Sequence, residues 1–108
     1  MKPLLLSLLV IAALTAAPEK HTFSGVITDS MCARGDHSKM QMGPTDAECT
    51  KACILEHGAT HVLYDGNHAY DLSDQKAPEK FAGRRVMVTG DLDAKTMTIK
   101  VDSIAAVK

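Results

Sequence analysis

Residues 85–102 read R-V-M-V-T-G-D-L-D-A-K-T-M-T-I-K-V-D, and this stretch decides the fold class. From Arg85 to Leu92, Val86, Val88, Gly90 and Leu92 share one face, while Met87, Thr89 and Asp91 share the other. From Thr96 to Asp102, Met97, Ile99 and Val101 fall together. A period of two is that of a β-strand with one buried face. Asp93-Ala94-Lys95 supplies a turn, so the two runs predict an antiparallel pair. Ile104 breaks the phase, which predicts a bulge or the strand end.

The same reading extends upstream. Thr60–Asp65 (T-H-V-L-Y-D) and His68–Leu72 (H-A-Y-D-L) flank Gly66-Asn67 and predict a β-hairpin. His61 and His68 are expected there as solvated strand residues. Ser73–Gly83 holds a short helix candidate, with Pro78 at its first position and Gly83 as its stop. Thr22–Thr28 (T-F-S-G-V-I-T) predicts the first strand. Asp29–Pro44 has no period and reads as a long loop, of a length that is usually functional or cross-linked.

Thr45–Gly58 is the clearest helix. Thr45 and Glu48 form a capping box. Asp46 and Glu48 favour the N-terminal end of the dipole, and His57 the C-terminal end. Gly58 stands where the chain leaves the helix. At about 100° per residue, Ala47, Cys49, Thr50, Cys53, Ile54 and His57 lie on one side, opposite Glu48, Lys51 and Glu56. Leu55 falls on the polar side.

The order is strand, helix, strand, strand, short helix, strand, strand. It predicts a mainly β (α+β) domain: a small five-stranded OB-like barrel. One helix is inserted between strands 1 and 2, and a short helix lies between strands 3 and 4. A small open sheet packed on one helix is the alternative.

Thirteen of the first 17 residues are apolar, centred on Leu4–Leu14 after Met1-Lys2. Thr15, Ala16 and Ala17 follow, then Pro18. This is the layout of a secretory signal peptide. The run is short of the roughly 20 residues that span a bilayer. Residues 1–17 are therefore expected as a signal peptide, and 18–108 as a single OB-like domain with its inserted loop and helix at 29–58. The expected location is secreted or periplasmic, with membrane contact only through the signal peptide before cleavage. The whole chain has 108 residues, with 12 Lys+Arg against 13 Asp+Glu. That balance argues against a basic nucleic-acid binder. Two Tyr and two Phe, with no Trp, argue against a stacking platform for single strands.

The chemistry gathers between residues 29 and 57. Cys32, Cys49 and Cys53 are all the cysteines, and three is odd. In an oxidising compartment they predict one disulfide, from Cys32 to Cys53 or Cys49, with one thiol left over. Closing a loop of about 20 residues this way is worth roughly 3 kcal/mol in the chain-entropy model. The second reading is a copper or zinc site. Thiolate, imidazole and thioether suit Cu(I) and Zn, and Cys32, His37, Cys49 and Cys53, with Met40 and Met42, would be its ligands. The third is a thiol–disulfide redox protein, although no C-x-x-C is present. No catalytic motif is found.

Several motifs carry a resemblance. They are F-S-G-V-I-T-D-S-M-C (23–32), His37, M-Q-M-G (40–43), C-T-K-A-C (49–53), Y-D-L (70–72), F-A-G-R-R-V-M-V-T-G (81–90) and T-I-K-V-D-S-I (98–104). Together they resemble a family of small secreted bacterial domains of uncharacterised function. The resemblance implies export and a compact β-rich domain, and brings no activity with it. C-x-x-x-C with a His is also similar to copper-delivery proteins of the thioredoxin class, over a short match. The expected function is a non-enzymatic secreted or periplasmic binding module stapled through Cys32. The partner would be a small ligand, a metal ion or a protein, and no nucleic acid.

Overall fold

The computed structural model describes residues 20–34 and 45–107. The chain is mainly β. Among the described residues five strands run in order: β1 (His21–Asp29), β2 (His61–Tyr64), β3 (Ala69–Leu72), β4 (Arg85–Asp93) and β5 (Thr98–Ala106). One α-helix, α1 (Asp46–His57), follows β1 in the chain. Two short 3₁₀ turns complete the set, one at Ser30–Cys32 and one at Ala77–Phe81.

The strands form a mixed sheet that closes in a ring, in the order β1-β2-β3-β5-β4, with β4 returning to β1. Only β3 and β5 run parallel; the other four pairings are antiparallel. Among the described residues closure gives every strand a neighbour on each side, although β3 and β5 pair only at Asp71–Thr98 and Leu72–Ile99.

Register explains the core. Ile27 stands opposite Leu63, Leu63 opposite Tyr70, and Leu72 opposite Ile99. Ile27, Leu63, Tyr70, Leu72, Phe81, Val86, Val88 and Ile99 form one buried cluster. Each fully buried aliphatic side chain contributes about 1.5–3 kcal/mol relative to exposure. The phase break at Ile104 has a physical origin. Thr89 pairs with Ser103 and Gly90 with Val101, so Asp102 is the extra residue of a bulge. The bulge returns Ile104 to the inner face, where it packs on the core opposite Val88.

Several local expectations shift. The turn before β5 is longer than three residues, and β5 begins at Thr98 behind Met97, which has φ +54°. The second hairpin strand begins at Ala69, because Asp65 Oδ1 accepts from the backbone of Asn67 and His68 and holds His68 in the turn. The Pro78 segment is a 3₁₀ turn, too short to settle into α-geometry.

The helix is built from its own ends. The Thr45 hydroxyl accepts from Glu48 N at 3.2 Å. Gly58 takes left-handed backbone, φ +67°, and its N–H donates to Cys53 O. Gly83, at φ +73°, lies against the first turn of α1. A Cβ there would stand 2.7 Å from Ala47 N. Its own N–H donates to Ile27 O at 2.8 Å. The helix is thus pressed against the sheet where only hydrogen fits.

Candidate functional site

Four polar residues are buried among those described: Thr28, Asp29, Thr50 and His61. Buried polar groups are more informative than exposed apolar ones. These four come from β1, α1 and β2. Asp29 ends β1, His61 begins β2, and the two are register partners. They form one rim of the ring. Both continue the inward face, Asp29 two residues beyond Ile27 and His61 two before Leu63. Helix α1 packs on β1 and buries Cys49, Thr50 and Cys53. Cys49, Cys53 and Ala59 make a second small cluster, with Ile54 against it.

Asp29 organises this layer. Its Oδ2 accepts from Met31 N at 3.1 Å and Cys32 N at 3.0 Å, capping the turn that carries Cys32. The Thr28 hydroxyl donates to Cys32 O at 3.0 Å, so the Cys32 backbone is held from both sides. Cys53 is fully buried on the inner side of α1. Burial pushes that thiol up to about 11, and the neighbouring Asp29, Cys49 and Cys32 act in the same direction.

The structure therefore packs Cys49 and Cys53 together under α1 and places Cys32 on the turn that Asp29 caps. Cys32 is half-buried and the other two are buried. All three stand as thiols, with no disulfide joining them. Among the described residues no group of three or more His, Cys, Asp or Glu side chains is placed to hold a metal ion. His37, Met40 and Met42 lie outside the described residues, as does the segment 1–17.

His61 is the main revision. Expected in solvent, it is 4% exposed. Gln75 donates through Nε2 to His61 O at 3.0 Å and Leu72 O at 2.9 Å. Two carbonyl partners fix the orientation of the amide, so Gln75 Oε1 is an acceptor. It receives His61 N at 2.7 Å and stands 3.3 Å from His61 Nδ1. In the neutral ring Nδ1 then carries the proton, and Nε2 keeps the lone pair. Burial holds the imidazole below its ordinary value; Gln75, Glu79 and Asp29 oppose that without reversing it. His61 lines a groove of about 250 Å³ with Lys51, Ile54, Leu55 and Glu79. Leu55, 84% exposed, forms one wall of it, which gives the misplaced apolar residue of the helix a location. His57 and His68 are exposed.

Sequence reasoning missed His61, Gln75 and Thr50. The first could have been found from parity, since it shares a face with Leu63. Gln75 carried no signal. The Thr50 hydroxyl is buried and has no hydrogen-bond partner.

No family model, curated protein or solved structure matches the chain. No helix among the described residues is long and apolar enough to cross a membrane.

Proposed function

We propose that the chain is an exported small binding module whose helix α1 is fastened to the sheet by a disulfide from Cys32 to Cys53. On this reading it is an OB-like domain of the secreted bacterial family that its motifs resemble. Residues 1–17 are its signal peptide. The ring order, with β3 and β5 as its one parallel pair, supports the OB-like comparison. The inserted loop and α1 form the working surface, with the groove beside His61 at its edge.

One observation carries the reading: Cys53 is fully buried on α1, which packs on β1, and Cys32 sits on the turn that ends β1. Asp29 caps that turn through the Cys32 N–H. Bridging the two cysteines would fasten the Ser30–Cys32 turn and α1 to one another at the rim. A bridge between Cys49 and Cys53, one helical turn apart, would fasten nothing to the sheet. A thiol pushed up to about 11 is poorly suited to be a thiolate ligand at neutral pH, which favours the staple over the copper or zinc reading.

The test is intact mass, thiol titration and metal analysis of the chain recovered from the periplasm after expression with its own first 17 residues. The expected result is a chain shortened at Ala16 or Ala17, a Cys32–Cys53 linked peptide, one titratable thiol at Cys49 and no stoichiometric metal. Three titratable thiols, or copper or zinc lost in Cys53→Ser, would overturn it.

A further inference from the structure

A buried imidazole and two opposite charges line one groove beside α1, of about 250 Å³. We propose that this groove binds a free aliphatic α-amino acid as its zwitterion, with the ammonium group on Glu79 and His61 Nε2, the carboxylate on Lys51 and the side chain on Ile54 and Leu55. The inference rests on the reading of the chain as a binding module and names its ligand class. It does not depend on the Cys32–Cys53 bridge.

His61 is the anchor. Its side chain is 4% exposed yet lines the groove. Nδ1 faces Gln75 Oε1 at 3.3 Å, and Gln75 is itself fixed by the carbonyls of His61 and Leu72. The ring is therefore held in one orientation. Among the described residues no group bonds to Nε2, the nitrogen that keeps the lone pair. Burial also keeps the ring neutral at pH 7, so Nε2 is an acceptor and calls for an N–H or O–H donor.

The charges decide which donor. Glu79 lines the same groove, so an ammonium group gains a charge-assisted contact that a hydroxyl does not. Lys51 comes from α1, whereas Glu79 comes from the 77–81 turn. Among the described residues neither forms an ion pair, with the other or with a third group. Two opposite, unpaired charges on two elements of one groove match a dipolar ligand better than a simple cation or anion. Ile54 and Leu55 follow Lys51 on α1, and Leu55 is 84% exposed, so an alkyl side chain has apolar surface to cover. Size agrees. Drug-sized ligands fill roughly 300–1,000 Å³, and a groove of about 250 Å³ suits a smaller molecule such as leucine or valine.

The experiment titrates the chain recovered from the periplasm with L-leucine, read by NMR of backbone amides and imidazole nitrogens. Shifts at Lys51, Ile54, Leu55 and Glu79 should saturate by about 10 mM, with the His61 Nε2 signal moving and Nδ1 little changed. Isocaproate lacks the ammonium group, loses both the Glu79 pair and the bond to Nε2, and should bind at least about tenfold more weakly. Isoamylamine lacks only the carboxylate and should bind about two- to fivefold more weakly, as befits an exposed pair. Glu79→Gln should weaken leucine by about two- to fivefold and leave isocaproate unchanged; Lys51→Gln should weaken leucine to the same extent and leave isoamylamine unchanged. Both residues are exposed, so these variants retain the fold. No saturable shift with leucine, either analogue binding as tightly as leucine, or either variant weakening all three ligands equally would overturn the proposal. The thiol count of the same sample separates this inference from the staple. Leucine binding by a chain with three free thiols keeps the groove and removes the bridge; a bridged chain that ignores leucine keeps the bridge and removes the groove.

Discussion

Acidification from about pH 7.5 to about pH 5.5 should destabilise the fold through His61. In the folded chain its imidazole is 4% exposed and its Nδ1 faces Gln75 Oε1. The charged groups near it are Asp29 from β1, Glu79 from the 77–81 turn and, across the groove, Lys51 from α1. Burial outweighs the two carboxylates and holds the ring below the ordinary 6.5. The sign follows. Above 6.5 neither state binds the proton and the full stability is present. Below 6.5 the unfolded chain binds a proton that the folded chain refuses, so stability falls until the folded value is reached. One proton of difference is worth at most about 1.4 kcal/mol per pH unit. With a urea dependence of about 1 kcal/mol/M for a domain of this size, the midpoint should drop by up to about 1.4 M per pH unit. Asp65 and Asp74 are held below their ordinary 3.8, so their contribution is lost only in stronger acid. The assay is urea unfolding by far-ultraviolet circular dichroism at several pH values, for the parent and His61→Gln. The other histidines are common to both chains, so the difference isolates His61. The variant should lose the excess pH dependence. Parallel curves, or a parent that gains stability on acidification relative to the variant, would refute the reasoning and mean that Asp29 and Glu79 govern the ring instead.

Two further outcomes probe the seating of α1. Gly83→Ala should cost more than about 1 kcal/mol, because φ +73° disfavours a side chain and the new Cβ meets the Ala47 backbone; thermal unfolding reads it, and an unchanged midpoint would contradict the close approach. Thr45→Ala should cost about 1 kcal/mol by removing the bond to Glu48 N, while Thr45→Ser should restore most of it in the same assay.

Much of the scaffold was legible because it obeys short-range rules. Val86 and Val88 alternate with exposed Met87, and both valines are buried. Thr45 and Gly58 mark the ends of α1 by chemistry internal to the helix. The site was half legible. Three cysteines within 22 positions, the last two one turn apart, announced themselves by type and spacing. His61 did not, because a histidine beginning a short strand is apolar or polar according to what covers it. Helix α1 and the 77–81 turn supply that cover, and neither is local to it. Gln75 was illegible for the same reason: its partners are backbone atoms of His61 and Leu72, set by the path of the chain.

By itself the sequence determined the strand count, the capped helix and the concentration of cysteines on the segment after β1. Those properties depend on side-chain alternation and on groups three or four residues apart. Only the tertiary structure decided that β5 runs beside β3, that α1 covers the rim where β1 ends and β2 begins, and that Asp29 is buried there. Antiparallel pairing of β1 with β2 brings the end of β1 beside the start of β2, residues 32 apart in the chain at Asp29 and His61. A carboxyl group that looked like a loop residue becomes the buried cap of the turn carrying Cys32, because packing, not spacing, decides what covers it.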